Sequence, residues 1–321
     1  MKPLAQNLFL LMVLCCSAIT AQAQDSNTVT MDAITYPFDT QSVQLSDSIS
    51  LTYVDEGSGV KTLLFIHGLG SYLPAWQKNI AVLQNNYRCI ALDLPGYGKS
   101  GRGDFAYDMH FFADQVALFM DQLSLKNVTV IGHSMGGQIA MTLALRHPEA
   151  LEKLVLIAPA GFEQFSDQEK AWFARIYTPE VVQATPPPQI ERNFALNFHQ
   201  GIFPDDARFM YRDRMQMREM GPVYQAYCQM IPRCVQGMLN QPVFNQLDQI
   251  QQPTLVLYGL GDLLIPNKFL HPDLTTEQVA RNGAERLSKA SLQLLENCGH
   301  FVQWECADRV NESIQTFIAN E

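Results

Sequence analysis

The sequence predicts an α/β fold: a mostly parallel sheet with helices on both faces and a helical insertion. Three features carry that expectation. Continuous apolar runs of strand length alternate with amphipathic runs of helix length. The alternation stops between Pro159 and about Gln249. Polar residues of catalytic type fall in turns that directly follow strand-like runs, where an open parallel sheet collects its chemistry.

Taken in order, Lys2, the apolar stretch Leu8 to Leu14 and Ala21-Gln22-Ala23 follow the layout of a secretory leader cleaved after Ala23. The apolar core is short for a bilayer span, so no stable membrane span is expected. A lipid-anchored alternative on Cys15 or Cys16 is weaker, because bulky Leu14 or Cys15 stands where a small residue is wanted. An exported protein, periplasmic or secreted, is the expectation. Residues 24–39 are expected as a flexible lead-in. Alternating segments near Ser42 to Leu45 and Ile49 to Val54 predict an antiparallel edge pair. Buried strands are expected at Thr62 to Ile66, Arg88 to Leu92, Val128 to Ile131, Leu154 to Ile157, Thr254 to Tyr258 and Leu292 to Leu295. Helices are expected at Met109 to Leu123, Met135 to His147, Thr275 to Lys289 and Ala307 to Ala319. Residues 40–159 and 250–321 then form the core, and 160–249, with Pro186-Pro187-Pro188 and a methionine-rich run, form a cap of short helices.

With 321 residues, 47% of them apolar, the chain is long enough to bury one large core. A net charge of -10 without any basic run argues against a nucleic-acid partner. Once the leader is removed, Cys89, Cys228, Cys234, Cys298 and Cys306 remain. The odd count leaves at least one thiol unpaired, and Cys89, inside an apolar strand, is the expected buried spectator. Cys228 with Cys234 and Cys298 with Cys306 are spaced for local bridges, and spacing leaves both pairings open. No second Cys/His cluster accompanies them, so neither pair is expected as a zinc site and no metal is expected.

Gly132-His133-Ser134-Met135-Gly136-Gly137 stands between a strand-like and a helix-like run. Gly-x-Ser-x-Gly in that context is a nucleophile elbow, a sharp turn that holds a serine hydroxyl above the sheet edge. A Cβ at position 132 or 136 is expected to clash where strand and helix pack. A serine needs a base to take its proton, and the base needs an acid to orient it. Asp262 follows the strand Thr254 to Tyr258 through Gly259-Leu260-Gly261, and His300 follows the last strand through Asn297-Cys298-Gly299. Ser134, Asp262 and His300 are therefore the candidate nucleophile, acid and base. The backbone N–H groups of Met135 and of Leu69, in the turn His67-Gly68-Leu69-Gly70, are the candidate oxyanion donors.

These motifs, together with Asp93-Leu94-Pro95-Gly96-Tyr97-Gly98-Lys99-Ser100, resemble those of the α/β-hydrolase superfamily over about Ser42 to Ala319. The resemblance implies a cap over the site and cofactor-free hydrolysis through an acyl-enzyme on Ser134. Serine at the nucleophile position departs from the superfamily's haloalkane dehalogenases and epoxide hydrolases. Cys298-Gly299-His300 followed by Gln303-Trp304-Glu305 is similar to the histidine segment of the carbon-carbon bond hydrolases of aromatic ring-fission products. Against that stand His133, where that group often has Asn, and the expected export. Carboxylic-ester hydrolysis is thus the leading expectation, with carbon-carbon hydrolysis second and a non-catalytic ligand-binding member of the fold third. The expected partner is a small molecule with an apolar acyl or aromatic acid group. Trp172, Phe209, Met217 and Tyr224 are candidate pocket residues in the cap, although aromatic and methionine residues there also serve simply to pack it. Arg208, Arg212, Arg214 and Arg218 are expected to form a solvated helix face in preference to a carboxylate site.

Overall fold

The computed structural model describes residues 31–319. The expected leader and residues 24–30 lie outside them. One sheet contains β1 (Gln41–Ser46), β2 (Ile49–Glu56), β3 (Thr62–Ile66), β4 (Arg88–Leu92), β5 (Val128–His133), β6 (Lys153–Ile157), β7 (Thr254–Gly259) and β8 (Ala290–Leu295). The helices of its two faces are α1 (Gln77–Leu83), α2 (Met109–Gln122) and α3 (Met135–Arg146), continuing after the insertion with others named below. Between β6 and β7 the chain forms only helices: α4 (Asp167–Ile176), α5 (Pro179–Ala184), α6 (Pro187–Ala195), α7 (Phe209–Arg218) and α8 (Gly221–Asn240), with short 3-10 turns. After β7 come α9 (Thr276–Ala284), α10 (Val302–Glu305) and α11 (Ala307–Ala319).

Strand order is β1-β2-β4-β3-β5-β6-β7-β8. Only β2 runs against its neighbours β1 and β4; every other pair is parallel. The central strands are buried on both faces, and so they read as continuous apolar runs. Leu63, Leu64, Phe65 and Ile66 have no exposed surface, and each such side chain contributes about 2 kcal/mol of burial. From β3 the chain crosses to β4 on one side, and β5 then lies on the other. The crevice at the carboxyl ends of β3 and β5 is therefore the switch point, where such sheets bind ligands. Ile66 pairs with Gly132 there, so the turn after β3 faces the turn after β5.

Two expected segments differ. The lead-in is not loose over residues 31–39: Ile34 and Tyr36 are buried, and the Tyr36 hydroxyl donates to Asp93 Oδ2 at 2.6 Å. Helix α9 stops at Ala284, not Lys289. Buried Leu287 continues the apolar period but sits in the irregular descent to β8.

Candidate active site

Ser134 sits between β5 and α3 with φ 53° and ψ -118°, a conformation costing about 1–3 kcal/mol that its surroundings must impose. They do so with backbone hydrogen bonds. Ser134 N donates to Ile157 O at 3.0 Å, and Ser134 O accepts from Gly137, Gln138 and Ala160 N. The glycines are steric necessities, since a Cβ at 132 would meet Gly136 O at 2.3 Å and one at 136 would meet Ile66 O at 2.2 Å.

Asp262 and His300 come together from the loops after β7 and β8. His300 Nδ1 lies 2.7 Å from Asp262 Oδ2, with both side chains buried. A carboxylate only accepts, so Nδ1 donates to it and Nε2 is the ring nitrogen turned away from Asp262. Asp262 Oδ1 accepts from Leu264 N and Ile265 N. The loops themselves are joined by Leu260 N to Leu295 O and Gly261 N to Cys298 O, both at 2.9 Å. His300 stands beside the elbow, its ring 4.8 Å from that of His133. Among the described residues no hydrogen bond joins Ser134 Oγ to His300.

Two histidines that the sequence offered only as turn residues hold this arrangement. His133 Nε2 contacts His300 O at 3.0 Å, and because a carbonyl only accepts, Nε2 must be the protonated nitrogen. Burial, reinforced by the neighbouring His300, holds the His133 pKa well below the usual imidazole range, so it remains neutral. His67 Nε2 accepts from Leu94 N at 3.1 Å, which leaves Nδ1 to donate to Gly68 O at 2.9 Å. Burial lowers its pKa as well. Gly68 packs on the elbow, where a Cβ would lie 3.1 Å from Ser134 Cβ. Neither Leu69 N–H nor Met135 N–H has an acceptor among the described residues.

The loop that carries His300 is stapled. Cys298 and Cys306 form a disulfide around His300, while Cys89, Cys228 and Cys234 are free and buried. Glu305 accepts from Gly299 N at 2.6 Å and from His199 N, tying the loop to the cap. A nine-residue covalent loop restricts the unfolded chain by about 2.5 kcal/mol. Replacing both Cys298 and Cys306 by Ala is expected to lower unfolding free energy by about that amount, measured by urea denaturation.

Of the four cap candidates, Met217 alone lines the cavity beside the turn after β3. That cavity is about 70 Å³, and its walls include Leu69, Tyr72, Tyr97, Met210 and Phe301. Ser134 and His300 are not among its walls, although Phe301, next to His300, is. Phe209 packs on Trp304, Trp172 stacks on Phe269, and Tyr224 is bonded to Arg218 and Val182 O. The expected solvated arginine face holds in part: Arg212 is exposed and Arg208 stays partly solvated, while Arg214 and Arg218 turn to partners within the fold. Arg208 is paired with Glu191 and Asp205, Arg218 donates to Thr185 O and the Tyr224 hydroxyl, and Arg214 turns inward to Gly70 O. No group of three or more His, Cys, Asp or Glu side chains among the described residues is arranged to hold a metal ion. No described helix is long and apolar enough to cross a membrane.

The chain is 29% identical to a 2-hydroxymuconate semialdehyde hydrolase of Pseudomonas putida, covering 83% of this chain and 89% of that one. It is 28% identical to the dihydrolipoyllysine-residue acetyltransferase component of an acetoin cleaving system from Cupriavidus necator, over 83% of this chain, but spans only 65% of that protein. Among solved structures, a membrane phospholipase A described as a bacterial virulence factor superposes with a TM-score of 0.72 at 27% identity, covering 88% of this chain and 87% of that one. The family model described as alpha/beta hydrolase fold matches residues 61–307. That span takes in the turn after β3, the elbow and both late loops, and the chain belongs to the alpha/beta hydrolase fold family.

Proposed function

We propose that the chain is a serine hydrolase of small or medium carboxylic esters. Ser134 is the nucleophile, His300 the general base and Asp262 its orienting acid. The observation that carries this is the buried contact between His300 Nδ1 and Asp262 Oδ2, which leaves Nε2 free beside a strained elbow. Ser134 Oγ attacks the ester carbonyl as His300 Nε2 takes its proton. The Asp262 carboxylate stabilises the resulting imidazolium, and Leu69 N–H and Met135 N–H receive the oxyanion. His300 returns the proton to the departing alcohol, and water then releases the acyl group by the same steps. A hydrogen bond between Ser134 Oγ and His300 Nε2 is expected to form when substrate loads, because catalytic hydrogen bonds are often long or poorly aligned until then.

Similarity to a phospholipase A supports ester chemistry, and similarity to a 2-hydroxymuconate semialdehyde hydrolase supports carbon-carbon hydrolysis as the second reading. A p-nitrophenyl ester panel, a fluorophosphonate label and a coloured ring-fission dienoate separate the two. Ester turnover with labelling is expected. Bleaching of the dienoate without ester turnover transfers the site to carbon-carbon cleavage, and ligand binding with neither activity makes it a binding protein. Asp262→Asn is expected to lower kcat about 10⁴-fold through the wrong imidazole tautomer, with little change in KM, by steady-state kinetics. Export is part of the proposal, and the Cys298–Cys306 bridge supports an oxidising compartment.

A further inference from the structure

The oxyanion turn is gripped from the cap by two consecutive residues of α7. Arg214 Nη2 donates to Gly70 O at 2.6 Å. Next to it, the Asp213 carboxylate accepts from the Tyr72 hydroxyl. We propose that Arg214 and Asp213 are positioning residues for this turn, so that the cap aims the Leu69 N–H at the developing oxyanion as well as covering the substrate. This rests on the roles assigned above to Ser134 and Leu69.

The turn has two halves, and each has its own anchor. Gly68 O accepts from His67 Nδ1 and from Ser71 N, which fixes the half nearer β3. Gly70, at φ 67°, presents its carbonyl to Arg214. Tyr72 is held by its hydroxyl on the far side of Ser71. The Leu69 peptide thus hangs between the His67 anchor and the α7 anchors, with Gly68 pressed on Ser134.

Arg214 is itself immobilised. Its guanidinium carbon lies 4.1 Å from the ring centroid of Tyr227 in α8 and 5.6 Å from that of Phe194 in α6. Three cap helices therefore converge on one donor. Burial pushes the Tyr72 hydroxyl pKa well above its ordinary value, and nearby Asp213 adds to that, so Tyr72 stays a donor at working pH. Burial also raises the Asp213 carboxyl pKa while the Tyr72 hydrogen bond lowers it. Arg214 lines the cavity too, and a substrate-anion contact is the role against which the clamp is tested. A neutral ester separates the two, because it has no charge for the guanidinium to read.

The experiment compares Arg214→Met, Arg214→Lys and Tyr72→Phe with the parent on neutral p-nitrophenyl butyrate, together with the second-order rate of phosphonylation at Ser134. Arg214→Met removes the donor and keeps the stem; Tyr72→Phe removes only the hydroxyl. Each is expected to lower kcat and slow phosphonylation by about 10- to 100-fold with KM within about twofold, since the turn acts when charge develops. Arg214→Lys, which still donates to Gly70 O, is expected to recover most of the rate. The double variant Arg214→Met with Tyr72→Phe should fall short of the product of the two losses. A raised KM with kcat intact overturns the clamp in favour of a role in shaping the substrate pocket. Equal losses in Arg214→Lys and Arg214→Met that follow loss of folded protein, read by circular dichroism, overturn it in favour of packing. An active parent with unchanged variants also overturns it. A parent that reacts with neither reagent overturns the assignment of Ser134, and the clamp falls with it.

Discussion

Ser134→Ala is expected to leave a folded protein whose kcat on neutral esters is lowered about 10⁶-fold, because members of a nucleophile-base-acid set act as one unit. Fold should survive: the Ser134 side chain caps nothing, and the bonds that hold the elbow all belong to its backbone. The expected change in unfolding free energy is under about 1 kcal/mol. His300→Ala should cost a similar factor, and the double variant little more. Steady-state turnover, fluorophosphonate labelling and a urea titration on the same preparations check all three statements. A Ser134→Ala protein that still labels stoichiometrically removes the nucleophile assignment.

Gly136→Ala should do the opposite, spoiling structure before chemistry. In an exposed helix the exchange gains about 1 kcal/mol from backbone preference. Here the new methyl would stand 2.2 Å from Ile66 O and 2.6 Å from His67 O, both backbone atoms at the end of the central strand β3. Relief requires α3 to move away from β3. That separates Met135 N–H, at the start of α3, from Leu69 N–H, in the turn after β3. Loss of about 3 kcal/mol or more in stability is expected, with at least about 10²-fold lower kcat in the folded remainder. Gly221→Ala is the control, since nothing lies within 4 Å of a Cβ there. Denaturation midpoints of the two variants, measured side by side, decide the matter; similar midpoints would refute the steric account.

The strands were legible because a doubly covered parallel sheet needs unbroken apolar runs. Thr62–Ile66 and Arg88–Leu92 begin and end where their composition says. The positions of Ser134, Asp262 and His300 in turns after strands were legible because those turns are short. What stayed hidden depends on partners distant in the chain. His133 looked like a turn residue because its acceptor, His300 O, is 167 positions away. Tyr36 looked like part of a loose lead-in because Asp93 lies 57 positions on. Arg214 shares a polar stretch with Arg212 and Arg218, and charge alone suggests solvent. Only the ring of Tyr227 and the carbonyl of Gly70 show that this guanidinium points inward. The end of α9 was missed for a related reason, since Leu287 is buried in the core although it lies past the end of the helix.

The bridge around His300 bears on how the molecule tolerates thermal opening. β8 is the terminal strand of the sheet and is only partly covered along most of its length, which makes it a natural place for fraying to start. Cys298 lies just past that strand, and Cys306 immediately precedes α11. The imidazole therefore rides in a small macrocycle moored to a helix whose apolar side is buried. Amide exchange in β8 can run ahead of exchange in α11 while His300 keeps its mooring.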